Sequence, residues 1–233
     1  ETPYLYKAYI TLKNKQGAAE VIPQKVGFRN VEIKNAQLLI NGQPVLVKGA
    51  DRHEMDPDGG YVVSLERMIQ DIKIMKQLNI NAVRTSHYPQ SKHFIRECDR
   101  LGLLVFTEIP GWQHLGGENW KEQAVQNTRE MVLQYRNHPS IVLWGVRINE
   151  SQDNDPFYLR TNALAHQLDP SRPTSGVRYL YKSSLLEDVY AFNDFSHNGN
   201  NPGCRHKKDV TTDMSKGILI TEHSGHIFPT KSF

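Results

Sequence analysis

The stretch Leu65-Glu66-Arg67-Met68-Ile69-Gln70-Asp71-Ile72-Lys73-Ile74-Met75-Lys76-Gln77-Leu78, followed by Asn79-Ile80-Asn81-Ala82-Val83-Arg84, sets one helix directly before one short strand. Leu65, Met68, Ile69, Ile72, Met75 and Leu78 recur at i, i+3, i+4 and i+7, which is one face of a helix. Ser64 stands where an N-cap oxygen is needed. After a polar break comes a short run, 82–84, too brief for a helix and closed by Thr85-Ser86-His87-Tyr88-Pro89. A helix followed at once by a short strand is the repeating unit of a parallel α/β sheet.

The same alternation extends outward. Strands are expected at 45–48, 82–84, 103–107, 141–145, 174–177, 188–192 and 218–221. Phe94/Cys98/Leu101 and Val125/Met131/Val132/Tyr135 mark two looser helices, and Leu101-Gly102 is a helix stop. Seven strands favour a (β/α)8 barrel over a doubly wound sheet, for which neither a GxGxxG nor a P-loop is present. The barrel is expected to be incomplete at the C-terminus, with an eighth strand and helix still to come after Phe233. Upstream, Tyr4 to Leu12 is rich in aromatic and β-branched types and Asn14-Lys15-Gln16-Gly17 supplies turn chemistry. Val26 to Ile33 continues extended, and Leu38-Leu39-Ile40-Asn41-Gly42-Gln43-Pro44-Val45-Leu46-Val47 reads as a hairpin. A few such strands cannot bury both faces alone, so they read as the tail of a β-sandwich. The expected division is 1–34 for that tail and 35–233 for the barrel, the whole being a segment of something longer.

Composition narrows the function. No apolar run approaches the roughly 20 residues of a membrane span, so a soluble protein is expected. Its compartment (cytoplasmic, periplasmic or secreted, of bacterial type) stays open, as does a homo-oligomer. The net charge of +3 is spread through mixed signs. Arg205-His206-Lys207-Lys208 is short and reads as a solvated loop, so nucleic acid has little support as a partner. Cys98 and Cys204 form no metal pattern; Cys98 reads as a core residue. Asn149-Glu150-Ser151 matches a glycosylation acceptor but sits at a strand end, a poor acceptor position.

Polar clusters follow successive strand ends: Asp51-Arg52-His53-Glu54, Arg84 to Pro89, Glu108 to His114, Asn149-Glu150 and Glu222-His223. In a (β/α)8 barrel these ends form the catalytic face. Glycosidic bonds are cleaved by two carboxyl groups flanking the anomeric carbon. Glu150 and Glu222 each end an apolar strand; by pattern alone Glu54 and Glu108 compete with them. Glu66, Glu97, Glu118, Glu122, Glu130 and Glu187 read as surface ion pairs.

Beyond these patterns, Val47-Lys48-Gly49-Ala50-Asp51-Arg52-His53-Glu54, Asn81 to Pro89 and Asp99-Arg100-Leu101-Gly102-Leu103 resemble family 2 glycoside hydrolases of the β-galactosidase type. So do Arg136 to Ile141, Asp169-Pro170-Ser171-Arg172-Pro173, Trp144 through Ser151, and Leu219-Ile220-Thr221-Glu222-His223. The resemblance implies that the N-terminal strands end an Ig-like β-sandwich. It implies a retaining glycosidase with Glu150 as acid/base, Glu222 as nucleophile and Asn149 on the sugar 2-hydroxyl. A retaining pair sits about 5–5.5 Å apart. Burial and the charge of Glu222 are expected to raise the pKa of Glu150. His87 and His114 resemble sugar-contacting histidines, and Arg84 resembles an arginine that orients the nucleophile. Asp51, Arg52, His53 and Glu54 resemble supporting residues, and Trp112 is either a sugar platform or a packing residue. The leading substrate reading is a terminal β-galactoside within an oligosaccharide. The alternatives are a β-glucuronidase, a β-mannosidase or a carbohydrate-binding segment without catalysis. No cofactor is required; the family's magnesium does not map onto a ligand set here.

Three departures stand out. Trp144-Gly145-Val146-Arg147-Ile148-Asn149-Glu150 is one residue longer than the usual acid/base strand, implying a bulge or an added subsite contact at Arg147. The family's nucleophile-bonding tyrosine falls at Phe195, so Tyr190 or His226 would have to serve. Ser224 to Lys231 follows a less common pattern, in which Lys231 is the nearest cation for a uronate.

Overall fold

A computed structural model of the chain describes residues 3–196 and 204–223. Strands β1 (Tyr6–Asn14) and β2 (Gly17–Val26) pair as an antiparallel hairpin. Tyr6, Tyr9, Ile10, Leu12, Val21 and Ile22 are all exposed, so neither face of the hairpin is covered. The segment after it is pinned to the barrel. Arg29 donates from Nε to Pro139 O and from Nη2 to Ile141 O, both at 3.0 Å. Gly27 packs so tightly that a Cβ there would lie 2.6 Å from Pro139 Cγ.

β3 (Val31–Lys34), β4 (Gln37–Ile40) and β5 (Gln43–Pro44) form a small antiparallel sheet. It closes the end of the barrel where the strands start. Ile33 joins the interior cluster, and the Ala36 carbonyl lies against Gly217.

The remaining elements are β6 (Gly49–Arg52), α1 (Leu65–Gln77), β7 (Ala82–Thr85), α2 (Lys92–Leu101), β8 (Leu104–Glu108) and α3 (Glu118–Tyr135). They continue with β9 (Ile141–Gly145), α4 (Asp155–Leu168), β10 (Thr174–Arg178), β11 (Val189–Asp194), α5 (Lys207–Val210) and β12 (Gly217–His223). β6 to β12 make one parallel seven-stranded sheet in sequence order, an incomplete (β/α)8 barrel. Its edges, β6 and β12, face each other across a cavity of about 650 Å³ lined by Gly49, Asp51, Leu219 and Glu222 among others.

Side chains alternate between two cores. Val83, Val105, Ile141 and Trp144 point out to the helices, where they meet Ile72, Phe94, Met131, Phe157 and Tyr158. Phe106, Leu143, Val177, Val189 and Ala191, with Leu219, fill the barrel interior. Ser64 caps α1 by accepting from Arg67 N at 3.2 Å, and Gly102 ends α2 with φ 77°.

Three expectations need correction. The first barrel strand is 49–52, not 45–48: pairing begins at Gly49 opposite Ala82. The β-branched run before it is held instead by the Asn81 side chain, bonded to Leu46 O and Lys48 N, with Leu46 exposed. As expected, Cys98 is a buried core residue; both cysteines are free, and Cys204 is exposed. The basic run is solvated as expected, with Arg205, His206 and Lys208 exposed, but it is not all loop: Lys207 and Lys208 start α5, and Lys207 donates to Met214 O. Glu187 is fully buried and paired with Arg178, not on the surface. Among the described residues no helix is long and apolar enough to cross a membrane.

Candidate active site

Alternation on β7 and β8 sends Arg84 and Glu108 inward at the strand ends, where both are almost fully buried. Arg84 grips Glu108 with two bonds, Nε to Oε2 at 3.0 Å and Nη2 to Oε1 at 2.7 Å. Nη2 also donates to Asn149 Oδ1 at 2.7 Å, and Nη1 to Glu222 Oε1 at 2.7 Å. Asp51 Oδ1 lies 3.5 Å from Nη1. Burial by itself would pull this guanidinium's pKa down, but Glu108, Asp51 and Glu222 outweigh it and keep Arg84 charged. His87 Nδ1 sits 2.9 Å from Glu108 Oε1 and 3.0 Å from Arg84 Nη2. A protonated Nδ1 donates to the carboxylate; a bare one accepts from the guanidinium.

Glu222 reaches this hub through a bulge. On β12 Leu219 faces the interior and Ile220 the outer layer. Strict alternation would therefore turn Glu222 outward. The register skips one residue, from Phe192 opposite Ile220 to Asn193 opposite Glu222. That extra residue, Thr221, lets Glu222 join Arg84 from the same side as Asn193.

Glu150 is aimed by a second irregularity. Past β9 the chain still follows β10, with Val146 N bonded to Ser175 O at 2.9 Å and Glu150 N to Val177 O at 3.1 Å. Residues 146 to 150 thus lie against only 175 to 177, and Glu150 takes φ 53°. Arg147 fills the bulge from behind. It is 1% exposed, lies over the Tyr158 ring, and donates to Ser151 O at 3.0 Å and Asp153 Oδ1 at 2.6 Å. Arg147 is therefore not a subsite contact; the added length is taken up as packing.

The Glu150 carboxylate accepts three bonds. Asn193 Nδ2 reaches Oε1 at 3.0 Å, while Trp112 Nε1 and Gln113 Nε2 each reach Oε2 at 3.1 Å. Partial burial raises its pKa, but these donors together with His87 bring it below the usual glutamate value. This corrects the expectation of a raised pKa in the free protein. Its origin is the three donors, none evident from sequence spacing. Asp51 moves the other way, pushed up to about 6 by burial first and then by Glu222 and Glu108 against Arg84, although about a third of its side chain (32%) is open to the cavity. His53 is lowered by burial and by its neighbours His87 and Arg84.

Glu150, Glu222, Asn149, Arg84, His87 and Trp112 thus come together. Trp112 is exposed at the mouth and stacks on His87, centroids 6.3 Å apart. His114 lies outside the network, edge-on to Trp120 at 6.0 Å. Tyr190 is corrected: its side chain is in the outer layer with Phe192 and Val210, and its hydroxyl donates to Leu180 O. Phe195 is exposed, and His226 and Lys231 lie outside the described residues. Arg52 and Glu54 lie outside this network and tie β6 to its neighbours. Arg52 holds Asp71 and Gln90, and Glu54 accepts from Ser91 N. Asn193 and Gln113 were missed, and Asn193 had one signal: it lies two residues on from Ala191, an inward position. Among the described residues no group of three or more His, Cys, Asp or Glu is arranged to hold a metal ion.

Comparison with known proteins gives the family of the barrel. The family model described as "Glycosyl hydrolases family 2, TIM barrel domain" matches residues 31–227. A β-galactosidase of Thermoanaerobacterium thermosulfurigenes is 48% identical over all of this chain and 33% of its own length. Among solved structures, a family 2 β-galacturonidase from Eisenbergiella tayi bound to galacturonate aligns with TM-score 0.81 and 29% identity, over 97% of this chain and 45% of that one. A Parabacteroides merdae β-glucuronidase aligns with TM-score 0.75 and 29% identity, over 83% of this chain and 26% of that one. The chain spans about a third of the length of three of the curated β-galactosidases it matches and under a fifth of others.

Proposed function

The chain belongs to glycosyl hydrolase family 2, and from that premise we propose that its barrel cleaves terminal β-galactosides with retention, Glu222 attacking and Glu150 serving as acid/base. The observation that carries the reading is the buried Arg84, which joins Glu222 to Asn149, the neighbour of Glu150. In the first step Glu222 bonds to the anomeric carbon as the glycosidic C–O bond breaks and the Glu150 proton passes to the leaving oxygen. In the second, water loses a proton to Glu150 and displaces Glu222. Glu150 must hold a proton for the first step, and the free protein favours the carboxylate. A sugar that excludes water from Oε1 and Oε2 supplies the needed upward shift.

Galactose is favoured by the 48% identity to a β-galactosidase across the whole chain. A uronate is the second reading, favoured by the two solved structures above. Against it, Arg84 is committed to carboxylates already present, and Arg147 and Arg178 are paired with Asp153 and Glu187. The uncovered hairpin β1–β2 is read as the end of a preceding Ig-like β-sandwich, which would bury its apolar side chains.

The test is release of nitrophenol from β-galactoside, β-glucuronide, β-galacturonide and β-mannoside by the whole protein carrying this segment. Galactoside turnover abolished by Glu222→Ala, with azide restoring Glu150→Ala, is expected. Preference for a uronide would overturn the sugar assignment, and turnover indifferent to both variants would overturn the residue roles.

A further inference from the structure

The site deepens from Trp112 inward. Glu108, Asn149 and Arg84 are 1%, 1% and 5% exposed, Glu150 is half-buried, and Trp112 is 62% exposed. Of the three tryptophans, Trp144 is fully buried and Trp120 half-buried. An indole left in water forfeits much of its burial energy unless something else covers it.

Its position is nonetheless fixed on three sides. Nε1 donates to Glu150 Oε2 at 3.1 Å. The ring lies nearly parallel to His87, at 13°, and His87 is itself tied to Glu108. The backbone at Trp112 bridges Asn149, and Gln113 N donates to Asn149 O at 2.7 Å. Gly111 makes this approach feasible: at φ +145° it rests on Ile148, whose Cδ1 would be 2.8 Å from any Cβ there. A rigidly held, uncovered aromatic ring is therefore attached to the carboxyl group that serves as proton donor.

We propose that Trp112 forms the leaving-group subsite, its open surface stacking a pyranose or aryl aglycone while its N–H orients Glu150. The proposal rests on the reading of Glu150 as acid/base. The transferred sugar occupies the buried floor near Arg84, Asn149 and Glu222. The group departing with the Glu150 proton lies beyond Glu150, toward the mouth, where Trp112 stands. The apolar C–H face of a pyranose and the face of an aryl ring both suit an indole. A methyl aglycone is too small to cover it.

The experiment compares one sugar on three aglycones (methyl, phenyl and glucose) in the whole protein and in its Trp112→Ala and Trp112→Phe variants. Trp112→Ala is expected to lower kcat/KM for the phenyl and glucosyl substrates about tenfold more than for the methyl glycoside. Trp112→Phe keeps a ring but loses the N–H bond. It should retain most of the aglycone preference while moving the alkaline limb of kcat/KM to higher pH. Equal losses on all three aglycones in Trp112→Ala, with wild type active and Glu150→Ala inactive, would overturn the subsite and leave the glycosidase reading intact. Wild-type inactivity on every β-glycoside would remove both.

Discussion

Asn193 holds Glu150 by donating from Nδ2 to Oε1 at 3.0 Å; the carboxylate only accepts, which turns the amide NH2 toward it and leaves Oδ1 to accept from Thr221 Oγ at 2.8 Å. Thr221 is the bulge residue that lets Glu222 face the site. One buried amide thus links the placement of both carboxylates.

The first prediction concerns this link. Asn193→Ala removes a donor from the Glu150 carboxylate, so its pKa rises and the alkaline limb of kcat/KM moves to higher pH. With Glu150 as the proposed acid/base, its misplacement should cost about tenfold to a hundredfold in kcat. A pH–rate profile measures both; an unchanged limb would deny Asn193 any hold on Glu150.

Arg84 is the second. Arg84→Ala strands the buried Glu108 and releases Glu222 and Asn149. Breaking a buried pair from one side costs about 3–5 kcal/mol, so denaturant unfolding should show a loss of that size. Arg84→Lys restores a charge but not the fork that holds three partners at once. It should recover stability in part, while kcat stays about a hundredfold down. Recovery of full activity by lysine would mean that charge alone suffices.

The barrel was readable because short strands and amphipathic helices alternate with different periods, and Met68, Ile72 and Phe94 pack as that pattern requires. β6 was misread because Asp51 and Arg52 look like loop residues; one opens onto the edge cavity and the other sits under α1 on Asp71. Tyr190 was misassigned because parallel strands are buried on both faces, so Val189, Tyr190, Ala191 and Phe192 carry no polar alternation to show which way each points. Glu222 and Glu150 were found as strand-end carboxylates, but their aim comes from irregular registers set by hydrogen bonding between strands. So does the cluster of donors on Glu150, drawn from β11 and from the loop after β8.

Gly145 provides a test of packing at the site's floor. A Cβ there would lie 2.3 Å from Glu108 Cβ and 2.8 Å from Glu108 Cα. Gly145→Ala must move the β8 backbone that presents Glu108 to Arg84. Overpacking of this kind costs about 1–3 kcal/mol, or a fall of several degrees in Tm. Gly117→Ser, at the N-cap of α3 with nothing within 4 Å, should be neutral or slightly stabilising. Equal melting of the two variants would show that the floor yields freely.

Asp51 sets a pH dependence of stability with a definite sign. An unfolded aspartate titrates near 3.9, whereas burial, Glu222 and Glu108 push the folded one up to about 6. Between those values the folded chain holds more protons than the unfolded chain, so stability falls as pH rises through about 4 to 6. Above that window the carboxylate stays charged beside Glu222 and Glu108, with Arg84 offsetting only part of the cost. Asp51→Asn removes the titrating group. Melting curves should coincide with wild type at pH 4 to the extent that both side chains are neutral, and the variant should melt higher at pH 7.5. A variant that melts lower at pH 7.5 would mean that the pairing with Arg84 outweighs burial and repulsion together.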